Sequence, residues 1–190
     1  MARPRQFDEE RAVDAAMRAF LDSGYEATST QDLCTATGLG RSSIYNTFTS
    51  KHHLFKKALR HYMEVRTAGI VATLEGPAPV REKIATLMRE AVEPHDGLPQ
   101  GCLVVNTMIE LAPHDPDVAA MLKRDYERRL EALRAAIEAG KISGELAAGK
   151  DATALAHFVI ASISGIQVSL RGGAGPAAAE VIIQTALSAF

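Results

Sequence analysis

Apolar residues recur at three- and four-residue spacing along almost the whole chain, the period of an amphipathic helix. Over residues 7–22, Phe7, Val13, Ala16, Met17, Phe20 and Leu21 share one broad face. Gly24 follows as a natural left-handed stop. Thr28, Ser29 and Thr30 offer capping oxygens for a short helix ending near Thr37. Gly38-Leu39-Gly40 is a tight break, and a further short helix spans 41–48. Ser50 can cap a long helix with Leu54, Phe55, Ala58, Leu59, Tyr62 and Val65 as its apolar stripe, ending by Gly76-Pro77-Ala78-Pro79. A helix over 80–93 carries Ile84, Leu87, Met88 and Ala91, and 94–99 reads as a loop. A helix near 101–111 ends before Pro113. Asp115 and Pro116 open another, which runs to Ala139 with Gly140 after it. Asp151 caps a helix to about Leu170, Gly172 to Pro176 break it, and a last helix reaches Phe190. No stretch reads as a strand, a repeat or low complexity. The pattern predicts an all-α chain of about nine helices.

Composition agrees. The chain has 190 residues, enough to bury a core without staples. It is 47% hydrophobic and 23% charged, has few aromatics and lacks Trp, which favours helix over sheet. No apolar run approaches the roughly 20 residues of a membrane span, and MARPRQFDEE lacks the apolar core of a signal peptide. A cytoplasmic location away from membrane is therefore expected, and the widely separated Cys34 and Cys102 read as free thiols.

Charge is unevenly spread. Residues 1–66 hold ten Lys/Arg against eight Asp/Glu, and 67–190 hold eleven against fifteen. Within 28–61 the bases are Arg41, Lys51, Lys56, Lys57 and Arg60, with Asp32 the lone acid. That is a local basic patch on an acidic protein, suited to an anion such as nucleic acid.

The patch surrounds GLGRSSIYNTFTSK, residues 38–51. Two short helices about a glycine turn make a helix-turn-helix pattern, whose second helix enters the DNA major groove. Serine hydroxyls and an asparagine amide meet base edges or phosphates, and Arg41 and Lys51 neutralise phosphates at the two ends. The Tyr45 hydroxyl suits a phosphate at the groove wall. Backbone N–H groups near Thr28 offer an anion site at a helix start. Leu39, Ile44 and Phe48 should face inward. From spacing alone a second reading stays open: a short surface helix whose Ser, Thr and Asn are only caps.

Residues 11–55, with AAMRAFLDSGYEATSTQDLCTATGLGRSSIYNTFTSKHHLF at their heart, resemble the N-terminal domain of the TetR family of bacterial transcriptional regulators. Phe20, Gly24, Tyr25, Thr28, Leu33, Gly38, Leu39, Ile44, Tyr45, Phe48, Ser50, Lys51 and Leu54 match that family's pattern in register. Departures are Gly40 for a usual Ser cap, Ser42 for a common Gly, Asn46 for His or Tyr, and Thr49 for a common Pro. The resemblance implies a DNA-binding domain over 1–51 and a helical effector-binding and dimerisation domain over 52–190. It implies a homodimer through the last two helices, on a palindromic operator of double-stranded DNA. It carries phosphate contacts onto Thr28, Tyr45 and Lys51, and groove contacts onto Arg41, Ser42, Ser43, Asn46 and Thr47. An arm bearing Arg3 and Arg5 could add backbone or minor-groove contacts, but a disordered tail is the favoured reading. The expected function is a repressor released by a small-molecule or electrophile/oxidant inducer. The alternative is a helical interaction module that has lost DNA binding.

GCLVVNTMIELAPHDPDV is similar to a stretch in relatives that sense electrophiles and oxidants through a cysteine. Cys102 stands at a helix start, which favours the thiolate. Two readings stay open for it: a sensing thiol, or a small buried hydrophobe. Asn106 and Glu110 repeat at four-residue spacing from it, and His157, Phe158 and Gln167 are further candidates to line an effector cavity. Enzymatic activity is not expected, because no glycine-rich phosphate loop or nucleophile elbow occurs. Neither a metal nor a cofactor is expected. The two PHD stretches, 94–96 and 113–115, read as turn and capping chemistry rather than ligands.

Overall fold

The computed structural model describes residues 3–93 and 101–190, the first six as backbone only. Among them run nine helices and no strand: α1 (Arg3–Ser23), α2 (Thr30–Thr37), α3 (Arg41–Phe48), α4 (Lys51–Glu75), α5 (Val80–Glu90), α6 (Leu103–Glu110), α7 (Pro116–Ile142), α8 (Ala152–Arg171) and α9 (Pro176–Leu187). The loop expected over 94–99 lies outside the described residues, as do the Arg3 and Arg5 side chains. α1 begins four residues earlier than the apolar pattern indicates, with Pro4 in a first turn that needs no N–H.

The described residues pack as two compact units, Met1–Val65 with Cys102–Leu122, and Arg66–Gly101 with Lys123–Phe190. This division by packing differs from a division at 51/52. In the first unit, α1 crosses α2 and touches α6. The Phe20 ring meets Phe55 edge-on at 5.0 Å and stacks with Tyr25 at 6.1 Å. Leu21, Leu33, Ile44, Phe48, Leu54 and Leu59 are buried in the same unit.

In the second unit, α5, α8 and α9 pack together around Ile84, Met88, Val159, Ile166 and Ile183. Asp151 caps α8 by accepting from Thr153 N–H (2.9 Å) and Ala154 N–H (3.1 Å). Val80 N–H, at the start of α5, donates to Glu145 Oε2 at 2.7 Å. α7 runs through Gly140 instead of stopping there: a Cβ at 140 would come within 2.6 Å of Val80 Cγ1. That glycine is a point of close approach inside a helix, not a terminator. A buried polar group also lies here. Thr67 Oγ1 donates to Asp125 Oδ1 (2.7 Å), and Arg129 Nε stands 2.9 Å from Asp125 Oδ2.

α8 departs from the expectation that no segment matches a membrane span. Its 20 residues are long and apolar enough by length and composition, with a third of the stretch buried. The reason is two apolar faces. Val159, Ile160 and Ile166 face the core, while Phe158 and Val168 are exposed.

Candidate nucleic-acid interface

The reading head is built from local signals. Ser29 Oγ accepts from Asp32 N–H at 3.2 Å, and Asp32 Oδ2 accepts from Ser29 N–H at 2.8 Å, a reciprocal cap that opens α2. These bonds hold the Asp32 carboxyl below its usual range, with Lys51 nearby adding to the effect. Gly38 ends α2 at φ 68°, which glycine adopts without strain. The Thr37 hydroxyl donates to Leu33 O (2.6 Å) and accepts from Leu39 N–H (3.2 Å), tightening the turn.

α3 buries Ile44 and Phe48 and exposes Arg41, Ser42, Ser43, Tyr45, Asn46 and Thr47. Ile44 and Phe48 lie four residues apart and so share the inward face. Tyr45 is 40% exposed, with its hydroxyl 3.5 Å from Thr30 Oγ1. The Arg41 guanidinium lies 6.0 Å from the Tyr45 ring centroid. Hydrogen bonding to Thr30, then to Arg41, draws the Tyr45 phenol below its ordinary value. Lys51 Nζ sits 4.4 Å over the Tyr25 ring and donates to Glu26 O at 3.4 Å.

Thr28 is a correction. Its side chain is 1% exposed, and its hydroxyl donates to Gly24 O at 2.5 Å. That hydroxyl closes the turn between α1 and α2 and is not presented outward. Its neighbour Thr30 carries the hydroxyl that meets Tyr45. The spacing of Ser29 to Asp32 is the signal that singles out Ser29 as the cap among Thr28, Ser29 and Thr30.

Only Thr49 and Ser50 separate α3 from α4. Thr49 has φ 66° and ψ −43°, and Ser50 N–H donates to Phe48 O at 2.6 Å. This is a positive-φ γ-turn, a strained form, centred on a β-branched residue. Proline, common at this position in the family the sequence resembles, cannot adopt that φ. Thr49→Gly should relieve about 1–3 kcal/mol of strain against about 0.5–1 kcal/mol of added chain entropy. A rise in melting temperature of about 2–4 °C by calorimetry is expected; a fall would show that Thr49 is unstrained.

The expected effector residues separate. Cys102 is a free, half-buried thiol at the N-cap of α6, with no side-chain capping bond. Asn106 has a buried amide nitrogen with no hydrogen-bond partner. Glu110 is a second correction: both carboxylate oxygens are engaged, accepting from Tyr25 N–H (2.9 Å) and Glu26 N–H (2.7 Å). His157 and Phe158 are exposed on α8 and so do not line an interior cavity; His157 Nδ1 meets the Tyr126 hydroxyl. Gln167 is buried. Asp115 caps α7 through Val118 N–H (3.0 Å) and pairs with His52 (3.1 Å).

Residues 12–58 match the family model described as bacterial regulatory proteins, tetR family. Residues 80–186 match the tetracyclin repressor-like C-terminal domain. The chain is 33% identical over 164 residues to the uncharacterized HTH-type transcriptional regulator YezE of Bacillus subtilis, covering 84% of each. It is 33% identical over 175 residues to the HTH-type transcriptional repressor ComR of Escherichia coli K12, covering 90% of this chain and 83% of ComR. Its fold matches the solved structure of a cysteine mutant of the TetR family regulator CifR with a TM-score of 0.84, at 30% identity over 95% of each chain. That CifR mutant was solved in complex with 26-bp double-strand operator DNA. The chain belongs to the tetR family of bacterial helix-turn-helix transcriptional regulators.

Proposed function

We propose that this regulator is a homodimeric repressor that holds a palindromic operator and releases it when an inducer binds. One observation carries the reading: α3 turns six polar side chains outward above two buried anchors, as a groove-reading helix must. Arg41, Ser42, Ser43, Asn46 and Thr47 read the groove, and Tyr45 and Lys51 hold phosphates. Residues 1–51 form the reading domain, and 52–190 bind the inducer and dimerise. The outward apolar residues Phe158 and Val168 on α8 and Val181 on α9 supply the dimer face. A two-fold dimer matches half-sites spaced by about 34–36 Å or a multiple of it. Release requires only that the inducer bind the non-reading arrangement more tightly.

Selection of bound sequences from a random duplex pool by the purified protein tests this reading. Recovery of a palindrome is expected. Absence of any salt-dependent duplex binding would favour an interaction module that has lost DNA.

Cys102 is the sensing residue in this reading, supported by its place at the α6 N-cap and its partial exposure. Methylglyoxal or hypochlorite should release operator from the native chain, and Cys102→Ser should retain it under the same dose. Equal release from both, measured by fluorescence anisotropy, would remove the thiol from the mechanism.

A further inference from the structure

The carboxylate that grips the turn between α1 and α2 has a second consequence. Glu110 closes α6, and its partners lie 84 and 85 residues earlier in the chain. It takes the N–H of both Tyr25 and Glu26, and the same two residues hold Lys51. Glu26 offers its carbonyl to Lys51 Nζ at 3.4 Å, and Tyr25 offers its ring at 4.4 Å. The Tyr25 ring is itself fixed edge-on by Phe55 at 4.9 Å and His52 at 6.0 Å. A Cβ on Gly24 would stand 3.2 Å from Glu110 Oε2, so the turn runs directly over the carboxylate. All of these residues belong to the first compact unit.

We infer that Glu110 is a positioning residue for DNA binding: it fixes the Tyr25–Glu26 backbone, and through it the Lys51 ammonium that meets the phosphate. Charge-assisted bonds from two adjacent N–H groups to one carboxylate are strong and directional. They also occupy both Glu110 oxygens, so the carboxylate draws the turn rather than Lys51 itself. The inference rests on the phosphate role proposed for Lys51. It gives α6, which begins beside Cys102, a direct mechanical connection to a DNA contact. A tilt of α6 that withdrew Glu110 would loosen Lys51 without moving α3.

The test measures binding of a fluorescein-labelled duplex carrying the selected operator, across a salt series, with full-length protein. Variants are Lys51→Ala, Glu110→Gln, their combination and Glu110→Asp. Gln has one acceptor oxygen where two N–H groups need satisfying. Lys51→Ala should flatten the slope of log K against log salt by about 0.9 per subunit. Glu110→Gln should flatten it to the same degree, and the double variant should lose no more than either single. Glu110→Asp, which keeps the charge one methylene short, should fall between, and it serves also if Glu110→Gln fails to fold. Glu110 variants that lower the melting temperature but keep the native slope would overturn the inference and leave Glu110 as a structural tie. An unchanged slope for Lys51→Ala would overturn the phosphate role of Lys51, and this inference with it. A native chain that bound no duplex would overturn both together with the operator reading.

Discussion

Replacing Arg41 and Tyr45 together by alanine should weaken operator binding by at least about a hundredfold at moderate salt, given about 1–3 kcal/mol for a good base contact by Arg41 in each of two half-sites and the phosphate contact of Tyr45 besides. The two side chains lie on the exposed surface of α3 and form one unit, with the guanidinium 6.0 Å from the phenol ring. Removing both deletes a cation and a hydroxyl from each half-site, and two-fold symmetry doubles the loss. Neither side chain belongs to the core, which Ile44 and Phe48 supply. The double variant should therefore melt within a few degrees of the native protein. Tyr45→Phe keeps the ring over Arg41 and removes only the hydroxyl, so it should cost much less. Anisotropy titrations with the selected duplex measure all three. A double variant that binds as well as the native chain would place DNA recognition elsewhere.

The largest loss of stability is expected from Asp125→Ala. Asp125 is buried, accepts from the Thr67 hydroxyl, and is the charge opposite Arg129. The Arg129 side chain is 15% exposed, and its Nε and Nη2 atoms are buried without a hydrogen bond. Nε is close enough to Asp125 for ion pairing, at 2.9 Å, but lacks the alignment of a hydrogen bond. Taking away the carboxylate strands a cation in a dry setting, which costs about 3–5 kcal/mol. Thr67→Val removes one hydrogen bond and leaves the pair, so about 1 kcal/mol is expected. Asp125→Leu with Arg129→Met should recover most of the loss, since a well-packed apolar pair often equals a buried ion pair. Chemical denaturation at fixed protomer concentration reads all of these, because dimerisation contributes to apparent stability. Equal costs for Asp125→Ala and Thr67→Val would show that Arg129 is solvated after all.

The reading head was largely legible in the sequence because its signals are local. Gly38 stops α2, and the positions of Ile44 and Phe48 define the inward face of α3 within eight residues. The presence and order of the nine helices among the described residues followed from the same kind of signal, while the start of α1 and the end of α7 did not. What was not legible depends on partners far along the chain. Gly140 has the composition of a helix end, yet Val80 makes it a contact inside α7. Glu110 has the spacing of a pocket residue with Cys102 and Asn106, yet the turn at Tyr25 and Glu26 claims both its oxygens. Thr28 has the residue type and position of a phosphate contact, but its buried hydroxyl is bonded inward to Gly24 O. His157 and Phe158 share α8 with core residues, and only packing decides which face is covered. The pairing of Asp125 with Arg129 is an ordinary four-residue helix spacing, and its burial beside Thr67 is a property of the assembled unit.

The division of labour along α3 bears on how such a regulator diverges. Two residues, Ile44 and Phe48, anchor that helix in the core, while Arg41, Ser42, Ser43, Asn46 and Thr47 stand in solvent. In the proposed reading, substitutions at the outer five change what is read without touching what holds the helix, and exposed changes of this kind usually alter stability by no more than about 0.5 kcal/mol. Operator preference is thus free to drift after gene duplication while the scaffold stays intact. A single scaffold can in this way furnish many regulators that ignore one another's promoters.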